Sequence, residues 1–105
     1  MTTNKLATPH AKTDERALIA LRKEIDAIDG EILRLLARRA KLALSVGRVK
    51  KIQGRRVYDP TREVAVLRHV VAANRGPLSA EAVERIFREI VRQHRRLAES
   101  ASLPA

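Results

Sequence analysis

One residue breaks an otherwise regular apolar pattern in this chain of 105 residues. Leu18, Leu21, Ile25, Ile28, Ile32 and Leu35 recur at alternating steps of three and four, and Leu42, Val46 and Val49 resume in phase. Arg39 takes the place between them where the repeat demands an apolar side chain. A buried guanidinium is costly unless an anion pairs with it. Buried ion pairs are commoner than ligand sites, so burial alone points first to an internal pair with Glu63 or another carboxylate. The other reading is a carboxylate or phosphate brought by a ligand. On a helix, Lys50, 11 residues on, points within about 20° of Arg39, whereas Arg22, 17 residues earlier, lies about 25 Å away along the axis. Arg22 and Arg39 of one chain therefore cannot grip one small ligand together, but in an antiparallel dimer Arg22 of one chain could approach Arg39 of the other. Taken singly, Arg22 and Lys50 read as solvated charges.

The remaining composition narrows the chemistry. There is no Cys, which excludes disulfides and thiolate metal sites. His94 falls on the apolar side of a helix and reads as a core or rim histidine, since no second ligand stands at metal-binding spacing with it. No nucleophile is paired with a base in a local signature, and there is no glycine-rich phosphate loop. Chemistry here would need neither a covalent intermediate nor a metal. One Tyr and one Phe are too few for a base-stacking platform. The net charge of +10 still asks for an anionic partner, and sixteen of the 22 basic residues are Arg. The segment 34–62 holds ten basic residues and one acid, Asp59. Arg85, Arg88, Arg92 and Arg95 step at helical spacing; this reads as a solvated face, with a phosphate-tracking face for nucleic acid as the sharper alternative.

The elements that carry these residues are helices. The seam predicts one long helix from about Asp14 to Lys51, some 55 Å in length. Residues 52–58 form a loop. Asp59-Pro60 is a helix start, with Asp as N-cap and Pro at the first helical position. Asn74-Arg75-Gly76-Pro77 ends that helix, with Gly76 expected as a left-handed C-cap, and Ser79 caps a third helix. Residues 1–12 and 100–105 read as flexible tails around one domain, 13–99. The N-terminus lacks the apolar core of a secretory signal, and no apolar run approaches a membrane span, so a cytoplasmic protein without membrane contact is expected. The fold class is all-α, with one long and two shorter helices. A seam that long cannot be covered by two helices of about half its length, which predicts an intertwined homodimer.

Three stretches together resemble the small all-helical chorismate mutases. They are LRKEIDAIDGEILRLLARRAKLALSVGRVK (21–50), VYDPTRE (57–63) and, more loosely, VERIFREIV (83–91). The ordered combination L-R-x-x-I-D-x-I-D, L-L-x-x-R, V-G-x-x-K and Y-D-P-x-R-E is specific, although each piece alone is weak. The resemblance implies an isomerase that converts chorismate to prephenate, with no cofactor and no metal. It also implies a homodimer whose two sites each use residues of both chains.

Carried over by position, the resemblance makes Arg22 the residue that reaches into the partner's site to bind a substrate carboxylate. Arg39 pairs with a carboxylate in its own site, and Lys50 bonds a carboxylate and the ether oxygen. Asp59, Arg62 and Glu63 form the cluster at the start of the second helix, where Glu63 holds the substrate hydroxyl and Asp59 supports Lys50. The third helix departs from the family pattern. His94 falls where the family usually has Ser and could donate in its stead, and Ala98 falls at the usual Gln and cannot donate. The implied reaction is a unimolecular rearrangement of a dianion, for which clamped carboxylates and a fixed cation at the ether oxygen suffice. Alternatives are an isochorismate-pyruvate lyase on the same scaffold, a basic nucleic-acid-binding module, and a mutase that depends on a partner enzyme.

Overall fold

The computed structural model describes the backbone of residues 2–103 and the side chains of 12–103. It contains three helices: α1 (Thr2–Ile52), α2 (Pro60–Ala73) and α3 (Ala80–Ser100). No strand occurs among the described residues. The all-α class with one long and two shorter helices is therefore observed. Helical backbone begins at Thr2, earlier than the Asp14 expected from the seam, because an apolar repeat marks one face of a helix and not where the helix starts. Met1, Pro104 and Ala105 of the expected tails lie outside the described residues, as do the side chains of 2–11.

The chain divides into two compact units, residues 1–35 and 36–105. In the first, the seam has no cover. Leu21, Ile25 and Ile28 are 56%, 55% and 54% exposed, and Leu18, Ile32 and Leu35 are similarly open. In the second, α2 packs on α3, and Val83, Val91 and Ala98 are buried. Gly47 is also buried, since a Cβ there would stand 3.0 Å from the Ala98 Cβ. The close approach of α1 to α3 thus requires small residues on both sides.

Four of the helix ends are fixed by local devices. Gly54, at φ +71°, closes α1: its N–H donates to the Lys51 carbonyl at 3.0 Å, and Arg55 N–H donates to the Lys50 carbonyl at 2.7 Å. This is a Schellman cap, and the left-handed residue it needs is glycine. Asp59 caps α2 as expected, its side chain accepting from Arg62 N–H at 3.0 Å. Ser79 caps α3 by accepting from Ala82 N–H at 3.1 Å. The end of α2 differs from the expectation. Asn74, with extended backbone, is the C-cap, and its side chain donates to the Leu78 carbonyl at 2.8 Å while accepting from Gly76 N–H at 2.9 Å. Gly76 has the left-handed φ of +77° but serves the turn beyond the helix. An Asn side chain that satisfies the turn on both sides removes the need for a glycine cap.

The C-terminus of α3 has no basic residue of its own in the last turn. Lys51 of α1 supplies one, donating from Nζ to the Glu99 carbonyl at 3.2 Å and to the Ala101 carbonyl. A cation at the negative end of a helix is favourable, and here it ties the end of α1 to the end of α3.

Candidate active site

A pocket of about 310 Å³ opens in the second unit between the three helices. Its apolar wall is made by Leu42, Ala43, Val46, Gly47, Val57, Val66, Val91 and Ala98, and its polar groups are Arg39, Arg62, Glu63, His94 and Arg95. Three of these five carry a fixed positive charge and one a negative charge, so the pocket suits an anion with an apolar body.

Arg39 comes from the buried side of α1. Its Nη1 donates to Nδ1 of His94 at 2.7 Å. Burial, and after it the Arg39 charge, lower the pKa of His94 from its ordinary 6.5. The ring is therefore neutral near pH 7, which makes Nδ1 the acceptor and places the ring proton on Nε2. Burial, and after it the Arg62 charge, lower the pKa of Arg39, which as a guanidinium still stays charged. The internal ion pair that burial alone suggested for Arg39 does not form among the described residues. Glu63 is taken by Arg95 instead, with Nε to Oε2 at 2.9 Å and both side chains about one quarter exposed. Arg39 keeps its charge beside the pocket, and among the described residues its hydrogen-bond partner is a neutral ring.

The start of α2 brings a second cation close. Lys50, 13% exposed, donates to the Val57 carbonyl at 3.1 Å and stands 3.7 Å from Asp59 Oδ2. The backbone N–H of Arg62 lowers the pKa of Asp59 most; the charges of Lys50 and Arg55 add to this, and desolvation opposes it. One carboxylate therefore both caps α2 and holds the ammonium. Lys50 is not among the residues that line the pocket. Of the residues singled out from sequence, Arg39, Arg62, Glu63 and His94 meet at the pocket, and Lys50 and Asp59 pair at the α1–α2 turn. Arg22 is exposed in the first unit.

Arg95 is the residue that sequence reasoning placed elsewhere, as part of a solvated stripe. Arg88 and Arg92 do lie at the surface, matched by Glu84 at 3.4 Å and Glu89 at 3.7 Å on their own helix. Arg95 leaves that face: it pairs with Glu63 and stacks over Tyr58, 4.5 Å from the ring centroid. The usable signal was its spacing, since Arg95 follows buried Val91 by one turn and precedes Ala98 by three residues. With two Arg matched by acids and one turned inward, α3 offers no continuous phosphate-tracking stripe.

The sequence pattern of chorismate mutase type II matches residues 21–99. The chain belongs to this family. It is 48% identical over 81 residues to the bifunctional chorismate mutase/prephenate dehydratase of Neisseria gonorrhoeae, an alignment covering 77% of this chain and 22% of that protein. It is 42% identical over 83 residues to the bifunctional chorismate mutase/prephenate dehydratase of Pseudomonas aeruginosa, covering 74% of this chain and 23% of that protein. The chain thus spans between a fifth and a quarter of the length of these curated relatives. Among solved structures, chorismate mutase (form II) from Thermus thermophilus superposes with a TM-score of 0.80 at 38% identity, covering 82% of this chain and 98% of that one. The family match includes α2, the pocket and α3 to Glu99. No helix among the described residues is long and apolar enough to cross a membrane.

Proposed function

We propose that this chain is a chorismate mutase that rearranges chorismate to prephenate, acting as a homodimer in the cytoplasm with sites shared between protomers. The observation that carries this reading is Arg39: a half-buried guanidinium at a pocket wall, with no carboxylate of the described chain paired to it. Such a cation is stabilised when a ligand carboxylate arrives, and its planar fork suits bidentate pairing. The substrate is a flexible dianion. Arg39 takes one carboxylate and Arg22 of the partner takes the other, which holds the compact conformer in which the new bond can form. His94 Nε2–H is a further donor at the wall where Arg39 acts.

As the C–O bond breaks, negative charge grows on the ether oxygen. Lys50 meets that charge, and the interaction is stronger in the transition state than in the ground state. Asp59 and the Val57 carbonyl hold the ammonium behind the pocket wall, from where it turns to the ligand; Glu63 accepts from the substrate hydroxyl, and Arg62 adds positive potential. No proton transfer, nucleophile or metal enters these steps. The uncovered seam of the first unit supports the dimer, because an apolar face of that length is a surface for a partner helix. The product calls for an enzyme that consumes prephenate, and the two curated bacterial relatives carry a prephenate dehydratase in the same chain.

The test is an assay of the purified chain for loss of chorismate and gain of prephenate, with isochorismate as the comparison substrate. Rearrangement without pyruvate release is the expected result. Release of pyruvate from isochorismate at a higher kcat/KM would replace the mutase with a lyase. Mixing the inactive variants Arg22→Ala and Arg39→Ala should restore part of the activity, since one site of a mixed dimer then holds both wild-type residues. No recovery under demonstrated subunit exchange would reject the shared site.

A further inference from the structure

We propose that Arg95 is a substrate-binding residue of this pocket, contacting an anionic oxygen of the bound dianion from the α3 side; the substrate class rests on the mutase reading. Four observations converge on it. Arg95 lines the pocket. Its guanidinium is held at two places, by Glu63 through Nε at 2.9 Å and by the Tyr58 face at 4.5 Å. The ion pair uses Nε alone, so the two terminal amino groups have no hydrogen-bond partner among the described residues. Finally, α3 contributes Val91, His94, Arg95 and Ala98 to the wall. Val91 and Ala98 carry no polar side-chain atom, and His94 spends Nδ1 on Arg39. The donors that α3 can offer a ligand are therefore the Nε2–H of His94 and the terminal amino groups of Arg95.

The arrangement is pre-organised. An arginine free in solvent loses much rotamer entropy when it grips a ligand; one already fixed by a carboxylate and a ring loses less. Glu63 also neutralises part of the charge that Arg39, Arg62 and Arg95 would otherwise concentrate around the pocket. When a dianion enters, Arg95 can keep Nε on Glu63 and turn its unused donors to the ligand, so the two carboxylates need not compete for the same N–H groups.

The experiment compares the full-length chain with Arg95→Ala and Arg95→Lys, using prephenate as binding probe by calorimetry and chorismate turnover in parallel. Arg95→Ala should weaken prephenate binding about tenfold or more, the range for a charged hydrogen bond, and raise KM more than it lowers kcat. Arg95→Lys keeps the charge and the stem but not the fork, and should recover part of the affinity. Helical circular dichroism serves as the folding control, and if the Ala variant unfolds the Lys variant carries the test with an expected severalfold loss. Affinity within twofold of wild type in the folded variants would overturn the assignment, as would a wild-type chain that binds no prephenate. A wild type that binds prephenate but leaves chorismate unchanged would sink the mutase reading while leaving Arg95 to be judged on affinity alone.

Discussion

The two units of this chain share one open apolar seam and differ in what else their helices enclose. Residues 18–35 carry the cleanest apolar repeat in the sequence, yet Leu21, Ile25 and Ile28 remain more than half exposed. Residues 36–105 have a less regular pattern, broken by Arg39, His94 and Arg95; their share of the seam, Leu42, Val46 and Val49, is just as open, but they hold Val83, Val91 and Ala98 in a small core and enclose a pocket. Periodicity reports which face must be covered and says nothing of what covers it. Regularity marks a surface awaiting a uniform partner such as another helix. The interruptions mark places where the chain pairs with itself around a pocket.

That contrast can be broken first at the seam. Ile28→Asp puts a charge on the face that a second protomer should bury. The lost packing alone costs about 2–5 kcal/mol per chain, and burying the carboxylate adds to it. Light scattering should report loss of the dimer, and turnover should vanish with it; an intact, active dimer would show that the face is not an interface. Next in size, Lys50→Ala should cut turnover by roughly 100- to 1000-fold, about 2.7–4 kcal/mol of transition-state stabilisation, while helicity persists. Near-normal turnover would remove Lys50 from the chemistry.

Gly47→Ala tests the packed unit itself. The added methyl would stand 3.0 Å from the Ala98 Cβ, and overpacking of this kind costs about 1–3 kcal/mol. Denaturant titration should show a net loss, the overpacking outweighing the roughly 1 kcal/mol that Ala gains over Gly within a helix; stability equal to or above wild type would mean that α1 and α3 give way by the few tenths of an ångström the methyl needs. The smallest effect is a pH dependence. His94 binds its proton less tightly in the folded chain than at the ordinary 6.5. Between its folded value and 6.5 the unfolded chain therefore binds more protons. Stability should be full above pH 6.5 and fall as pH drops through that window. His94→Gln should flatten this slope without touching the more acidic loss expected once Asp59, held below 3.8, is protonated.

Much of this was legible in the sequence because its causes are local. Asp59-Pro60 and Ser79 cap helices through contacts three residues away, and the seam needs only a count of steps. The ordered family motifs carried the rest of the fold. What could not be read were pairings across long separations. Arg39 meets His94 at a distance of 55 residues in sequence, and Glu63 meets Arg95 across 32. Charge alone allowed Glu63 to choose either arginine, and only packing decides that α3 brings Arg95 to it. Gly54 is silent in the sequence because one glycine in a loop does not announce a Schellman cap. Gly76 misleads in the opposite direction, since Asn74 stops α2 before the glycine is reached.

The turn after α1 has an effect on how this protein can change. Lys50 is fastened at both ends, its carbonyl by Arg55 and its ammonium by Val57 and Asp59. A residue inserted or deleted between Gly54 and Asp59 would therefore disturb the partners of this ammonium, in a stretch of the kind where length variation is otherwise tolerated. Drift in this lineage should accordingly alter the identity of Arg56 more freely than that of Arg55, whose charge helps to hold Asp59, while keeping the number of residues from Gly54 to Asp59 fixed.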